Sequence, residues 1–418
     1  MKTTIKSPQF GLIGKKLGHS YSKQIHNLFG NAEYTLLELD EVALDKMLRE
    51  RDFRGFNVTI PYKKTVIPYC DYLSDAAKEI GSVNTLIVKD SKVYGDNTDL
   101  YGFLYMLEQA NISLTNKNVL ILGTGGTSLT AKAASKMQGA GKVSFASRAD
   151  ITEGRFEAFS DTQVVINTTP VGMYPNTEES PIDLSKLPKC EAVVDVVYNP
   201  LYTKLLIQAR SLGLAHTSGL TMLVAQAAMA HSLFFGSDKP EHSLIESVTN
   251  KILSKTRNIV LTGMSGSGKT TLGEAVAVMT GRTFIDTDKV VEALDGRSIP
   301  QIFAQSGEAE FRRLESSVIA EASRLSGAII ATGGGALLFD ENYQRLKHNG
   351  LVIWLDRAPD QLVLAGRPLT PDKAAAEQLY KSRKPRYEAV ADIRIDTSGE
   401  VSSGVISAAL ATLIDICS

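Results

Sequence analysis

The chain has 418 residues, of which 43% are hydrophobic and 22% charged, with a formal net charge of −1. That length accommodates two or three domains with sizeable cores, and the near-zero charge excludes a global basic field of the kind that draws nucleic acid or anionic lipid. Cys70, Cys190 and Cys417 are spaced neither as metal ligands nor as a disulfide framework, so a reducing, cytoplasmic setting is expected.

In chain order, strand-like and helix-like segments alternate almost throughout, which predicts an α/β fold of parallel sheets covered by helices. Phe10 to Gly14, Tyr34 to Leu39, Gly55 to Thr59 and Thr85 to Val88 read as strands of a first lobe, residues 1–105. A second lobe, residues 106–255, opens at Val119 to Leu122 and continues through strands at Val143 to Ser147, Val164 to Asn167 and Ala192 to Val196. The helix Leu220 to Phe235 is interrupted by Gln226, His231 and Ser232 and is too short to span a bilayer; a helix near residues 220–250 is expected to complete the first lobe. Glu241 to Lys255 carries Leu244, Ile245, Val248, Ile252 and Leu253 on a helical stripe that closes this half. A fresh strand after Thr256 opens a domain over residues 256–418, with no Gly/Ser or Pro tether before it. Met1 runs into Phe10 without a signal-peptide apolar region, so neither export nor a membrane partner is expected.

Two glycine-rich loops of different kinds divide the chemistry. Gly123-Thr124-Gly125-Gly126 follows an apolar strand, where such a loop turns tightly and brings N–H groups to a dinucleotide pyrophosphate at a helix N-terminus. Ser128 stands at the third glycine position of that fingerprint, and a glycine-rich turn without a ligand is the rival reading. At the end of the next strand, Ser147 is followed by Arg148, which suits the 2′-phosphate of NADP, where an acidic residue would suit the ribose hydroxyls of NAD. In the other half, Gly263-Met264-Ser265-Gly266-Ser267-Gly268-Lys269-Thr270 meets the full P-loop pattern directly after a strand. That loop, with Thr271, is expected to wrap ATP or GTP phosphates, with Lys269 on the β- and γ-phosphates and the Thr270 hydroxyl on Mg2+.

Polar residues cluster in the first lobe at His19-Ser20-Tyr21-Ser22, Asn57-Val58-Thr59-Ile60-Pro61-Tyr62-Lys63, Gly81-Ser82-Val83-Asn84-Thr85 and Asp96-Asn97-Thr98-Asp99. With Ile166 to Met173, Asp195 to Pro200 and Gly219 to Ala228, their order and spacing over residues 8–250 resemble shikimate dehydrogenase. The resemblance implies a two-lobed unit with a Rossmann NADP-binding lobe. It makes Lys63 the group that protonates or stabilises the developing alkoxide, with Asp99 holding its ammonium and a substrate hydroxyl. Ser20 and Ser22 would take the substrate carboxylate with Tyr198 nearby, and Thr59, Asn84 and Gln226 the ring hydroxyls. Gly123, Gly125, Gly126, Ser147, Arg148, Gly219 and Met222 would form the NADP(H) site. Lys16 and Lys23 stand where the family usually has proline, and Leu129 where an arginine is common; NADPH against NADH stays open. Singly, Lys63 reads as a solvated lysine and Asp99 as a helix cap.

Beyond residue 257, Phe284 to Asp288, Glu310 to Glu315 and Ala331 to Ala336 resemble shikimate kinase. This resemblance implies Asp288 as the base on the acceptor hydroxyl, Arg312 and Arg383 as carboxylate clamps, Gly334 and Gly335 against the ring, and Asp286 in the Mg2+ shell. Arg367, in a short lid, would swing over the ATP phosphates. The blander reading makes Arg312 and Arg313 a solvated helix face. Together the two resemblances imply reduction of 3-dehydroshikimate by NADPH, followed by phosphorylation of the shikimate product. Two alternatives remain: an NAD-dependent quinate/shikimate dehydrogenase half, or one half reduced to a sensor. A homodimer is open, and no nucleic-acid partner is expected.

Overall fold

The computed structural model describes residues 8–18, 20–362, 372–398 and 403–417. The chain divides into two compact units. Met1–Met173, Glu179–Asn199 and Gln208–Asn250 form the first; Tyr174–Glu178, Pro200–Ile207 and Lys251–Ser418 form the second.

The first unit begins with β1 (Phe10–Gly14), α1 (Ser22–Leu28), β2 (Tyr34–Glu38), α2 (Glu41–Glu50), β3 (Gly55–Val58), β4 (Tyr72–Leu73), α3 (Asp75–Ile80), β5 (Thr85–Lys89), β6 (Lys92–Asp96) and α4 (Asp99–Gln109). Its strands form one six-stranded sheet in the order β2-β1-β3-β5-β6-β4. The sheet is mixed: β1 pairs in parallel with β2 and β3, while β5 runs antiparallel to both β3 and β6. Asp90 and Ser91, at φ 51° and 58°, supply the left-handed turn that lets β5 fold straight back into β6. Alternation sorts the two faces of β3. Phe56 and Val58 enter a core with Ile13, Leu44, Leu48 and Leu86, while Asn57 faces the other way. On the opposite face Phe10, Leu12 and Tyr34 pack under Ala230 and Phe234 of a helix more than 130 residues further along the chain.

A second sheet is built from β7 (Asn118–Leu122), β8 (Lys142–Ala146), β9 (Val164–Asn167), β10 (Ala192–Asp195) and β11 (Ala215–Thr217), with α5 (Gly126–Met137) and α6 (Arg148–Glu153) between its strands and α7 (Lys204–Ser211) preceding β11 in the chain. Its order is β11-β10-β9-β7-β8, and every pairing is parallel. The central strands β7, β9 and β10 are continuous apolar runs because both faces are covered. Helix α8 (Leu220–Phe235) then packs along α4, so closely that a Cβ on Gly102 would sit 2.6 Å from the Met222 carbonyl oxygen. Only a glycine permits that approach, which brings Gln226 to the start of α4. Helix α9 (His242–Thr256) follows.

The second unit carries β12 (Asn258–Thr262), α10 (Lys269–Thr280), β13 (Phe284–Asp286), α11 (Thr287–Asp295), α12 (Ile299–Ala322), β14 (Ile329–Ala331), α13 (Asp340–Lys347), β15 (Gly350–Asp356), α14 (Lys373–Val390), β16 (Ile393–Asp396) and α15 (Ser403–Cys417). Its parallel sheet has the order β13-β14-β12-β15-β16. Ile259, Leu261, Ile353 and Leu355 fill one face, while Val260, Ile330 and Val352 fill the other. Among the described residues no helix is long and apolar enough to cross a membrane.

Candidate active sites

In the first unit a cavity of about 490 Å3 is lined by Ser20, Ser22, Thr59, Lys63, Asn84, Asp99, Tyr198, Gly219, Met222 and Gln226. Every residue expected to bind the dehydrogenase substrate therefore faces one space, although the set spans more than two hundred positions of sequence. Lys63 Nζ lies 2.6 Å from Asp99 Oδ2, and Asn84 Nδ2 donates to Asp99 Oδ1 at 2.9 Å. Asp99 is the first residue of α4, where the helix dipole favours a carboxylate. Its side chain makes no cap bond, so the helix-cap reading fails: Thr98 occupies the cap position, and Asp99 is spent on Lys63 and Asn84. Asn84 Oδ1 in turn accepts from the Thr98 N–H at 2.8 Å. Ser20 donates to Ser22 at 3.0 Å at another part of the cavity wall. The Tyr198 ring meets Tyr21 at 5.6 Å, and burial, followed by the nearby Tyr21 hydroxyl, pushes the Tyr198 phenol upward.

The dinucleotide loop leaves β7 at Gly123, whose φ of 97° is costly for any other residue. Gly125 caps α5 and Gly126 begins it, and neither has any atom within 4 Å of where a Cβ would project. Backbone N–H groups at a helix start are thus left approachable. Ser128, at the third glycine position, is buried, and its hydroxyl returns to the Gly125 carbonyl at 2.5 Å. Ser147 is placed differently from a free ligand group. It caps α6 in a reciprocal box with Asp150, its Oγ 2.6 Å from Asp150 Oδ2, because a serine before a short helix satisfies orphan N–H groups. Arg148 follows on the exposed surface.

In the second unit a cavity of about 630 Å3 is lined by Ser265 through Leu272 and by Asp286, Asp288, Lys289, Arg357 and Thr397. Gly263, Gly266 and Gly268 hold the loop open with positive φ. Lys269 is buried and donates to the carbonyls of Gly263 at 2.9 Å and Met264 at 2.8 Å. The Thr270 hydroxyl donates to Asp286 Oδ2 at 2.7 Å, and the other Asp286 oxygen caps α11 through the N–H of Asp288. A smaller cavity of about 70 Å3 is lined by Ser265, Asp288, Arg312, Glu315, Gly333, Gly334, Gly335 and Arg383. Ser265 and Asp288 line both cavities. Arg367 lies outside the described residues, as does the lid around it.

Glu315, which has no role in the sequence motifs above, is fully buried, and its carboxylate accepts from Arg312 Nη1 at 2.7 Å. A Cβ at Gly333 would stand 2.4 Å from Glu315 Oε1 and 2.7 Å from Asp288 Oδ1, so two carboxyl groups converge on that backbone. Burial raises the Glu315 carboxyl above its ordinary value, and the Arg312 charge opposes the rise. The signal was in the sequence, since Arg312 and Glu315 are one helical turn apart and so share a face. Arg312 also pairs with Glu308 at 2.9 Å, which removes the solvated-face reading for it, whereas Arg313 stays exposed beside Glu310.

A two-lobed α/β unit with a glycine-rich turn, joined in one chain to a P-loop domain with a second cavity beside the loop, defines an oxidoreductase-type fold fused to a phosphotransferase-type fold. The family model described as shikimate dehydrogenase substrate binding domain matches residues 12–86, and that described as shikimate kinase matches residues 265–414. A shikimate dehydrogenase (NADP(+)) of Clostridium perfringens strain 13 is 39% identical over 249 residues, covering 54% of this chain and 92% of the relative. One from Caldanaerobacter subterraneus subsp. tengcongensis is 33% identical over 264 residues, covering 56% and 94%. Among solved structures, a chorismate mutase/shikimate 5-dehydrogenase fusion protein from Clostridium acetobutylicum aligns with a TM-score of 0.53 at 32% identity, covering 58% of this chain and 96% of that one. Shikimate 5-dehydrogenase from Thermus thermophilus, in complex with NADP(H) and shikimate, aligns at 0.51 and 31%, covering 58% and 98%. The chain belongs to the shikimate dehydrogenase family over its N-terminal half and carries a shikimate kinase domain after it, and is thus a bifunctional enzyme of the shikimate pathway.

Proposed function

We propose that the first unit reduces 3-dehydroshikimate to shikimate with NADPH and that the second phosphorylates shikimate with ATP to give shikimate 3-phosphate. One observation carries the first half of this reading: the 2.6 Å Lys63–Asp99 pair faces the same cavity as Ser20, Ser22, Thr59, Asn84, Tyr198 and Gln226. As hydride adds to the ring carbonyl, negative charge grows on oxygen, and the Lys63 ammonium stabilises it and supplies the proton. Asp99 keeps that ammonium aimed and accepts from a ring hydroxyl. Ser20 and Ser22 receive the carboxylate, while Thr59, Asn84 and Gln226 pair the remaining hydroxyls, so that an analogue lacking one leaves buried polar groups unmet. NADP(H) fits the Gly123–Gly126 turn, with Arg148 against the 2′-phosphate.

For the kinase, the reading of one cavity as the nucleotide end and the other as the acceptor end is supported by Ser265 and Asp288, which line both. Asp288 takes the acceptor proton, and Arg312 and Arg383 clamp its carboxylate. Lys269 reaches the phosphates. The hydroxyl and carboxylate of Thr270 and Asp286 are oxygen donors of the kind Mg2+ takes, and the ion would neutralise phosphate charge there. Working boundaries of 1–105, 106–255 and 256–418 follow for the substrate lobe, the NADP lobe and the kinase, with a cytoplasmic setting. A coupled assay tests the whole: 3-dehydroshikimate and NADPH, with and without ATP and Mg2+, following NADPH loss and shikimate 3-phosphate. Absence of NADPH loss removes the dehydrogenase half, and absence of shikimate 3-phosphate when shikimate itself is supplied with ATP and Mg2+ removes the kinase half.

A further inference from the structure

Behind the dehydrogenase cavity lies a buried polar cluster to which the chemistry above gives no role. Asn57 lines the cavity, yet only 6% of it is exposed, and its amide is saturated from within. Its Oδ1 accepts from the Tyr34 hydroxyl at 2.8 Å and lies 3.1 Å from His26 Nε2; its Nδ2 donates to Thr85 Oγ1 at 3.1 Å and to the Asn84 carbonyl at 3.4 Å. Thr85 passes the chain on, donating to Asn84 Oδ1 at 2.9 Å, and Asn84 then donates to Asp99. His26 and Tyr34 are stacked at 3.9 Å with planes 8° apart, and Phe234 lies 5.8 Å from the same imidazole. An apolar, aromatic box of this kind keeps an imidazole neutral. Burial, followed by the neighbouring His231, pushes the His26 pKa down to about 3, against the bond to Asn57. Because Asn57 Oδ1 has only acceptor capacity, the facing His26 nitrogen must carry the hydrogen.

We propose that His26 and Tyr34 are positioning residues for dehydrogenation: by donating together to Asn57 Oδ1 they fix the direction of the Asn57 amide, and through Thr85 they fix the Asn84 side chain that meets Asp99. The inference rests on reading Asn84 and Asp99 as substrate groups. An amide has two nearly isosteric orientations, and only one satisfies all four partners. With both donors in place the reversed orientation would set an NH2 against two donors. Removal of one donor weakens that discrimination, and removal of both frees the amide to turn and take Asn84 with it. Neither His26 nor Tyr34 touches the cavity, so the loss should appear as poorer ground-state alignment of the substrate hydroxyls and not as lost chemistry.

The test uses the full-length enzyme, with Tyr34→Phe, His26→Phe and His26→Gln assayed for both activities and for thermal unfolding. Tyr34→Phe and His26→Phe are each expected to raise KM for 3-dehydroshikimate roughly three- to tenfold, the effect of one buried hydrogen bond, with kcat and KM for NADPH changed less than twofold. His26→Gln keeps a donor toward Asn57 and should return KM to within twofold of the parent. Kinase turnover should not move. Unaltered KM in both Tyr34→Phe and His26→Phe overturns the proposal, as do losses that fall equally on kcat and on KM for NADPH, since those mark general damage. If His26→Phe does not fold, Tyr34→Phe decides alone, since it deletes one oxygen and keeps the stacked ring. Asn84→Ala run in parallel separates the two readings. An unaltered KM there sinks the underlying assignment of the site, whereas a raised KM there beside unaltered Tyr34→Phe and His26→Phe sinks only the positioning role.

Discussion

Lys63 Nζ and Asp99 Oδ2 stand 2.6 Å apart, one on the turn after β3 and the other at the first position of α4. Both side chains are mostly buried, at 24% and 14% exposed, so the pair is held by protein and not by water. A lysine so fixed can follow the charge that develops on a substrate oxygen without reorganising. Lys63→Ala is therefore expected to lower dehydrogenase kcat by a factor on the order of 10² to 10⁴, with KM for NADPH nearly unchanged. Steady-state kinetics with each substrate varied in turn measure both, and a variant keeping most of its kcat removes Lys63 from the chemistry.

Arg148 is exposed directly after the Ser147 cap, at the end of β8. Because the Ser147–Asp150 box holds the backbone there, Arg148→Ala should remove a charge without unravelling α6. KM for NADPH should rise about tenfold or more, as loss of a charge-assisted pair with a phosphate implies, while KM for NADH changes little. Equal losses for the two cofactors would assign Arg148 a structural task instead.

Asp288 faces both kinase cavities. Asp288→Asn is expected to abolish formation of shikimate 3-phosphate while dehydrogenase turnover stays within about twofold, since effects at independent sites add. Parallel loss of both reactions in a folded variant would contradict two separate sites.

Glu315 holds Arg312 from a fully buried position. Glu315→Gln keeps the shape but removes the ionic partner, so the guanidinium loses its aim. KM for shikimate should rise on the order of tenfold, the scale of a hydrogen bond to a charged group, with KM for ATP within twofold. A selective rise for ATP would place Glu315 with the nucleotide instead.

His26 gives the first unit a pH signature. Its pKa falls from an ordinary 6.5 to about 3, chiefly by burial. A base depressed in the fold is protonated only in the unfolded chain between those values. Its contribution is therefore fully present above about pH 6.5 and is lost as pH falls toward 3, by on the order of 5 kcal/mol at most. His26→Gln should flatten the stability of the first unit against pH within that window, read by denaturant unfolding of parent and variant at matched pH. Identical slopes would show that His26 does not titrate there.

Much of this protein was legible along the chain. The glycine-rich turns announce themselves because close backbone approach to phosphate tolerates few residue types, and the alternation of apolar runs marks β7, β9 and β12 because buried parallel strands have no polar face. The β5–β6 hairpin was not legible, since Asp90-Ser91 lacks the Asn-Gly or Asp-Gly signal although both residues take the left-handed conformation. Ser147 sits where a cofactor ligand was expected, but its hydroxyl is taken by Asp150, a local competition that residue type does not reveal. Tertiary structure alone decided which polar residues share a space. Gly102 lets α8 approach α4 and so delivers Gln226 to the cavity that Lys63, Asn84 and Asp99 line from more than a hundred positions earlier. Arg312, Glu315 and Asp288 likewise converge only once α11 and α12 meet the turn after β14. The sequence determines which groups are present, since chemistry follows residue type; their convergence is set by long-range packing, whose contacts leave no periodic mark in the chain.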